Sequence, residues 1–265
     1  NSFWRRLPHV LELLQPVRDA IQQLEGDQAM LSQLRSVWAA LTKHFLAWQA
    51  RDNLDAALKA DNVPAVLKVR KHKSLHAAAV LAYALDPVNF QAGQQQGTWR
   101  TPAANLTVAE EKLVKALLVR MLGATTFEEK RVIQLEWSNF KLVALSSDSN
   151  SSTATLAADL EYLTTRTQQG SKTMLQPMAE RIGWWDTAAF KSWPKLAIAA
   201  RRLLPRQVTS CAAERNWSKW GLLFTKLRNR MSLERANKLI FIAGNKGCMQ
   251  PRNPEHAVVI GMIEE

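Results

Sequence analysis

The sequence predicts a mainly α-helical protein. Two observations carry that prediction: apolar residues recur every three or four positions through most of the chain, and recognisable helix caps and stops punctuate those runs. In "VLELLQPVRDAIQQLE", Val10, Leu13, Leu14, Val17, Ile21 and Leu24 fall at helical spacing, and Pro16 is expected to break or kink the helix. "MLSQLRSVWAALTKHFLAW" continues with Met30, Leu34, Val37, Trp38, Leu41, Phe45 and Trp48, an amphipathic face. Trp4, Trp38 and Trp48 read as core anchors rather than as platforms for stacking bases, because large aromatics bury well.

"HKSLHAAAVLAYALDPVNF" reads as a helix of small and apolar residues closed by Asp86-Pro87. His72 and His76 stand four apart, a spacing that metal sites use. No carboxylate flanks them at matched spacing, so His76 is read as facing a packed alanine-rich surface. "QAGQQQGTWRTPAAN" is expected to be a loop, and Thr107 with Glu110 forms a capping-box signature at the head of the next helix. A further helix is expected over "FEEKRVIQLEWSNFKLVAL". The tract "SSDSNSSTAT", 146–155, is polar enough to be a mobile linker or an exposed loop, and a helical pattern resumes at Leu156.

Punctuation sharpens in the last third. Pro194 sits near a first helical turn and Pro205 after its end, with Leu196, Ala199, Ala200, Leu203 and Leu204 as the apolar stripe. Ser210 is a candidate N-cap for a helix on which Ala213, Trp217, Trp220 and Phe224 share one face, with Glu214, Ser218 and Gly221 beside it. Ser232 caps a last helix carrying Leu233, Ala236, Leu239, Ile240 and Ala243, stopped by Gly244-Asn245. Three short amphipathic helices bury little surface alone, so a unit of this size favours a partner, either another domain or a second copy.

The formal net charge is +12, and residues 191–246 hold 13 Lys/Arg against Glu214 and Glu234, a net +11. Charge alone fits equally a surface that attracts polyanions and an ordinary solvated helix surface. Cys211 and Cys248 stand far apart with no paired Cys/His spacing, which argues against a zinc site and for buried reduced thiols. No apolar run reaches the roughly 18 residues a membrane span needs. The opening "NSFWRRLPHV" has neither an initiator Met nor a following apolar core, and reads as the start of a fragment.

The segment "LAIAARRLLPRQVTSCAAERNWSKWGLLFTKLRNRMSLERANKLIFIAGN" resembles the C-terminal dimerisation region of hAT-superfamily transposases and of host proteins derived from them. The resemblance rests on an ordered series: a Leu-Ala helix at 196–204, Pro205, a Ser-x-x-x-Glu-Arg-x-Trp-Ser segment at 210–218, an Arg-Asn-Arg turn at 228–231 with Met231 in place of Leu, and a Leu-rich helix at 233–245. Trp217 resembles the plant-type variant. Trp184-Trp185, "LHAAAVLAYALDP" at 75–87 and "FWRRLPHVLELLQPV" are similar to earlier family segments, the last to the helical insertion domain.

The resemblance implies a helical insertion-domain remnant over 1–145, a linker and helix over 146–170, the dimerisation region over 171–250 and a tail over 251–265. In an intact parent it implies that the last region completes an RNase H-like fold. It makes Glu214 the counterpart of a glutamate that, with two aspartates, holds two divalent ions in active transposases. Those aspartates precede the insertion domain, and none of Asp19, Asp27, Asp52, Asp55, Asp61 or Asp86 lies on a strand-like run that could replace them. The chain alone is therefore expected to hold no metal and need no cofactor, Mg²⁺ being implied only for the parent enzyme, and to be catalytically inert. Glu214 is expected to pair with a basic side chain rather than a metal.

The function implied is dimerisation with a second copy, in a homodimer or larger assembly, or with a related hAT-type protein. Leu196, Leu203, Ala213, Trp217, Trp220, Phe224, Leu233, Leu239 and Ile240 are the expected interface. The alternative is the half of an active DNA transposase that supplies Glu214. A third reading places Arg201, Arg202, Arg206, Arg228 and Arg230 on DNA phosphates without sequence specificity. Nuclear localisation follows from the resemblance and the charge.

Overall fold

The computed structural model describes residues 2–25, 29–54, 58, 63–149, 151–169, 172–208, 232, 234–235, 238–239 and 241–242. These form a mainly helical structure. The chain divides into two units, one of residues 1–24 and 28–208 and one of residues 25–27 and 209–265. The Ser/Thr tract at 146–155, expected as a linker or an exposed loop, lies within the first unit.

The first unit is built around the sequence "AAAVLAYAL". It forms a helix over Ala77–Leu85 that is buried nearly all round, as a helix lacking a polar face must be. In chain order the helices are α1 (Ser2–Glu25), α2 (Leu34–Gln49), α3 (Val63–Ser74), α4 (Ala77–Leu85), α5 (Val108–Met121), α6 (Phe127–Leu142), α7 (Ala154–Ala157), α8 (Leu160–Thr164), α9 (Met178–Thr187) and α10 (Pro194–Leu203). Helix α4 packs against α2, α5 and α10, and α10 packs in turn against α6 and α9.

Helix α1 runs unbroken through Pro8 and Pro16, correcting the expected break. Proline has a helix-compatible φ and removes one N–H, and here α1 is held by packing along its length. Its Leu13, Val17, Ala20 and Leu24 pack on Val37, Leu41 and Phe45 of α2, with Val63 and Leu67 of α3 closing this cluster. The Trp48 indole N–H donates to the His9 carbonyl (3.0 Å), and Arg51 pairs with Glu12 (2.5 Å). Trp48 is the buried anchor expected and Trp38 is half-buried, but Trp4 is exposed. His72 lies on α3 and His76 is the exposed N-cap of α4, so the helix ends between them and the expected packing of His76 does not occur.

The stretch read as a loop at 91–105 contains strands. β1 (Gln91–Ala92) pairs antiparallel with β2 (Thr98–Arg100), and β2 pairs with β3 (Ala144–Ser146) in the register Trp99 opposite Leu145. Gly97 turns this hairpin at φ +72, where a Cβ would also meet the Ser147 hydroxyl at 2.3 Å. The Ser/Thr tract is ordered by the same sheet: the Ser147 N–H donates to the Gly97 carbonyl (2.9 Å) and the Ser146 N–H to Thr153 Oγ1 (2.9 Å). The polar residues find partners in turns rather than in water.

Both helices after the sheet residues begin on reciprocal capping boxes, Thr107 with Glu110 on α5 and Thr126 with Glu129 on α6. Between these helices, Glu111 accepts from Lys115 (2.8 Å) and from Lys141 across the α5–α6 contact (2.5 Å). The two ammonium groups hold the Glu111 carboxyl down at about 2, against a reference of 4.5.

The larger core contains a knot of aromatic rings. Phe140 sits 5.2 Å from Trp193, 5.6 Å from Trp185 and 6.1 Å from Phe90, and Trp184 meets Trp185 edge-on at 5.1 Å. Beside them Asp86 and Arg181 form a buried ion pair (2.5 Å) between residues 95 positions apart. Asp86 also accepts from the Val88 N–H (3.2 Å), capping the 3-10 turn that Pro87 opens. Burial pushes the Asp86 carboxyl up, and the Arg181 guanidinium opposes that shift.

Arg181→Met leaves the Asp86 carboxylate buried without its counter-charge and is expected to cost about 3 kcal/mol or more of unfolding free energy in urea. Adding Asp86→Asn to that variant should recover part of the loss. A single-variant loss below about 1 kcal/mol would show that the pair is not a support of the core. Glu111 gives a pH signature of known sign. Its folded pKa lies below the unfolded value, so its stabilisation is present above pH 4.5 and is lost as pH falls towards about 2. Chemical denaturation at pH 6 and pH 3 should show a smaller acid-induced loss for Glu111→Gln than for the parent, with the difference on the order of 1 kcal/mol because the groups are partly solvated.

Candidate dimerisation region

Residues 160–208 build the wall of the core on which the resemblance concentrates. In α8, Leu160 and Leu163 are buried, and the chain then turns through a hairpin of β4 (Thr167–Gln169) and β5 (Lys172–Met174), with Gln168 opposite Thr173. Helix α9 presents Arg181, Trp184 and Trp185 on one face, as positions three and four apart must be. The two indoles are satisfied from different parts of the chain: Trp184 donates to the Leu156 carbonyl (3.0 Å) and Trp185 to the Leu85 carbonyl (2.8 Å).

Helix α10 starts at Pro194, as expected, and its N-terminus is capped from another helix. Glu136 on α6 accepts from the Leu196 N–H (2.7 Å). Burial pushes the Glu136 carboxyl up, while the N–H groups of Leu196 and Lys195 and the Lys195 charge oppose it. A carboxylate at a helix N-terminus meets both the unsatisfied N–H groups and the positive end of the dipole. The end of α10 is tied to the start of the first unit's core: the Leu31 N–H donates to the Arg206 carbonyl (2.7 Å) and the Val208 N–H to the Ala29 carbonyl (3.1 Å).

Expected interface residues separate into three groups. Leu196 and Leu203 are 0% and 8% exposed, buried in this chain's own core with Ala199, Ala200 and Leu204. Within this chain the stripe of α10 is covered by α4, α6 and α9. Residues 234–235, 238–239 and 241–242 are helical, the Arg235 N–H donates to Ser232 Oγ (3.3 Å) as the expected cap, and Lys238 pairs with Glu234 (2.7 Å). There Leu239, Phe241 and Ile242 are 36%, 70% and 51% exposed. Ala213, Trp217, Trp220, Phe224, Leu233 and Ile240 lie outside the described residues, as do Glu214, Ser210, Cys211, Cys248, Arg228, Arg230 and the 251–265 tail.

Arg201, Arg202 and Arg206 are exposed but engaged. Arg201 pairs with Asp186 and lies over the Phe190 ring (5.5 Å to its centroid), Arg202 donates to the Met121 carbonyl (2.6 Å), and Arg206 donates to the Arg202 carbonyl (3.1 Å). Among the described residues no three His, Cys, Asp or Glu side chains converge as a metal site would, and no helix is long and apolar enough to cross a membrane.

Comparison with family models finds one likeness. Residues 161–245 match the hAT family C-terminal dimerisation region. The match covers about a third of the 265-residue chain and begins at α8, ahead of the start expected at 171. The hAT-type region therefore takes in the β4–β5 hairpin as well as α9 and α10. No curated protein matches the chain. The described part of the hAT-type region is fastened to the preceding residues through Arg181–Asp86, Trp185–Leu85 and Glu136–Leu196.

Asp86, Trp185 and Leu196 stood out in the sequence for other reasons, but their partners Arg181, Leu85 and Glu136 did not. The signal for Arg181 was its position three before Trp184, which places a charge on an apolar helix face. Glu136 had no such signal, because its partner is a backbone N–H 60 residues away.

Glu136→Ala leaves buried N–H groups without an acceptor and is expected to lower unfolding free energy by about 2 kcal/mol. Glu136→Gln keeps an acceptor and should lose less. Equal losses in the two variants, measured by urea unfolding, would show that the hydrogen bond is not the stabilising element.

Proposed function

We propose that this chain is a self-association module of a hAT transposase-like protein. The match of residues 161–245 to a dimerisation region carries the reading. With Leu196 and Leu203 in the core, the surface offered to a second copy or a related hAT-type protein is drawn from the later residues: Ala213, Trp217, Trp220, Phe224, Leu233, Leu239 and Ile240. Exposed apolar side chains at Leu239 and Ile242 support that choice, since aliphatic groups left in water gain most from a partner. The nucleus is the compartment this reading assigns.

Glu214 is the residue through which the same chain would serve a transposase. In an intact parent with an RNase H-like fold, of plant type by its Glu-Arg-Asn-Trp-Ser segment, Glu214 would join two aspartates around Mg²⁺. One carboxylate does not hold two ions, so this chain by itself is proposed to be inert. A weaker, sequence-independent role in holding DNA rests on the net +11 of residues 191–246, with Arg201, Arg202, Arg206, Arg228 and Arg230 as phosphate contacts.

Sedimentation equilibrium of the purified chain in high salt tests the reading, the salt removing nucleic acid that could bridge copies. The expected mass is at least twice the 29.9 kDa of one chain, falling by half on combining Trp217→Asp with Leu239→Asp. A single-chain mass at all concentrations, or a mass indifferent to those substitutions, overturns it.

A further inference from the structure

Helix α1 carries two apolar stripes, and among the described residues one packs into a core cluster while the other is largely exposed. Leu13, Val17, Ala20 and Leu24 face α2. Trp4, Leu7, Leu11, Leu14, Arg18 and Ile21 form the second, about 120° round the helix at 100° per residue. Their spacing alternates three and four without a break, the pattern by which one helix seats against another along a shared seam. Trp4, Leu11, Leu14 and Ile21 are 65%, 58%, 50% and 49% exposed.

We infer that this stripe is a second self-association surface, on which α1 of one copy pairs antiparallel with α1 of another. The inference goes beyond the proposed dimerisation, since it concerns residues outside the hAT-type region.

Three features select a second copy as the occupant. The seam is regular from end to end, and a regular three–four seam fits a helix with the same repeat better than it fits an irregular surface. The flank of the seam away from α2 holds Pro8, Gln15 and Gln22, uncharged residues that set up no repulsion between two identical helices. Two charges lie in the repeat, Arg18 and, four residues past Ile21 at the helix end, Glu25, and like charges meeting like decide orientation. Arg18 is paired with its neighbour Asp19 (2.8 Å) and remains 62% exposed. In a parallel in-register pair Arg18 would meet Arg18. In an antiparallel pair Leu11 meets Leu14, Trp4 meets Ile21, and Arg18 lies against Leu7 and beside the Trp4 ring of the second copy, where a guanidinium is attracted.

The area is adequate. With Leu7 already half-buried, the exposed parts of these six side chains offer on the order of 500 Å² per copy, or about 1,000 Å² for the pair, the threshold for a specific interface. An apolar patch of that size is also at the upper end of what monomers leave in water. Both this contact and the proposed dimer are of the isologous kind, so one chain bearing both links copies beyond two.

The full chain in high salt tests this by sedimentation equilibrium. Leu11→Asp with Leu14→Asp is expected to halve the mass while leaving the thermal midpoint within a few degrees, because both side chains are already in solvent. The Trp217→Asp, Leu239→Asp protein should still pair through α1 and become a single chain only when Leu11→Asp and Leu14→Asp are added. An unchanged mass on substituting Leu11 and Leu14, whatever else covers the stripe, overturns the inference. An unchanged mass on substituting Trp217 and Leu239 counts against the proposed dimer instead, so the two failures are distinguishable. Orientation is read by mixing Leu11→Cys and Leu14→Cys chains, with Cys211 and Cys248 replaced by Ser. Mixed disulfides between the two chains are expected, and disulfides only between like chains overturn the antiparallel arrangement.

Discussion

One carboxylate and one guanidinium set the arrangement of the larger core. Asp86 closes α4, the most deeply buried helix, and Arg181 opens the face of α9 that carries the tryptophan pair. Two desolvated charges are tolerated only in good geometry with each other, so their contact fixes where α9 begins relative to the end of α4. Trp185 reinforces the same junction through the Leu85 carbonyl, one residue before Asp86. The rings of Phe90, Phe140, Trp184, Trp185 and Trp193 then pack around it. Their shapes are specific, whereas an aliphatic core in that place could slide.

The part of the hAT-like stretch up to residue 208 belongs to the same core as the residues before it. It supplies half of a core whose other half comes from α4, α5 and α6. Apolar residues that look free on a helical wheel are already covered there, and residues on α1 that look covered are not. Surfaces for partners must be sought after the intramolecular core has been subtracted, and in this molecule that subtraction removes α10.

Helix positions were legible because caps and periods are local. The Thr107–Glu110 box, the Pro194 start and the Ser232 cap each need only a few neighbouring residues, and each forms. The small sheet was not legible, because its strands have two or three residues and β2 pairs with β3 across 46 positions of chain, Trp99 opposite Leu145. At 146–155 the polar composition fits the exposed turns that form, while the hydroxyl groups that also satisfy nearby backbone N–H groups were not foreseen. Periodicity also merged two stripes on α1: Leu14 and Ile21 share its helical period with Leu13 and Val17 but face elsewhere. Of the candidate site, the cap and exposure of the last helix could be placed, and the tethers through Asp86, Arg181 and Glu136 could not, since each joins residues at least 60 positions apart.

The bridge between residues 29–31 and 206–208 has a mechanical meaning. The two segments run antiparallel, so the chain enters and leaves the core at one point, with Ala29 beside Val208. A pull applied through the chain on either side of that point loads two backbone hydrogen bonds in succession rather than together. Force carried along the chain into residues 29–31 or 206–208 therefore meets a graded resistance rather than one threshold.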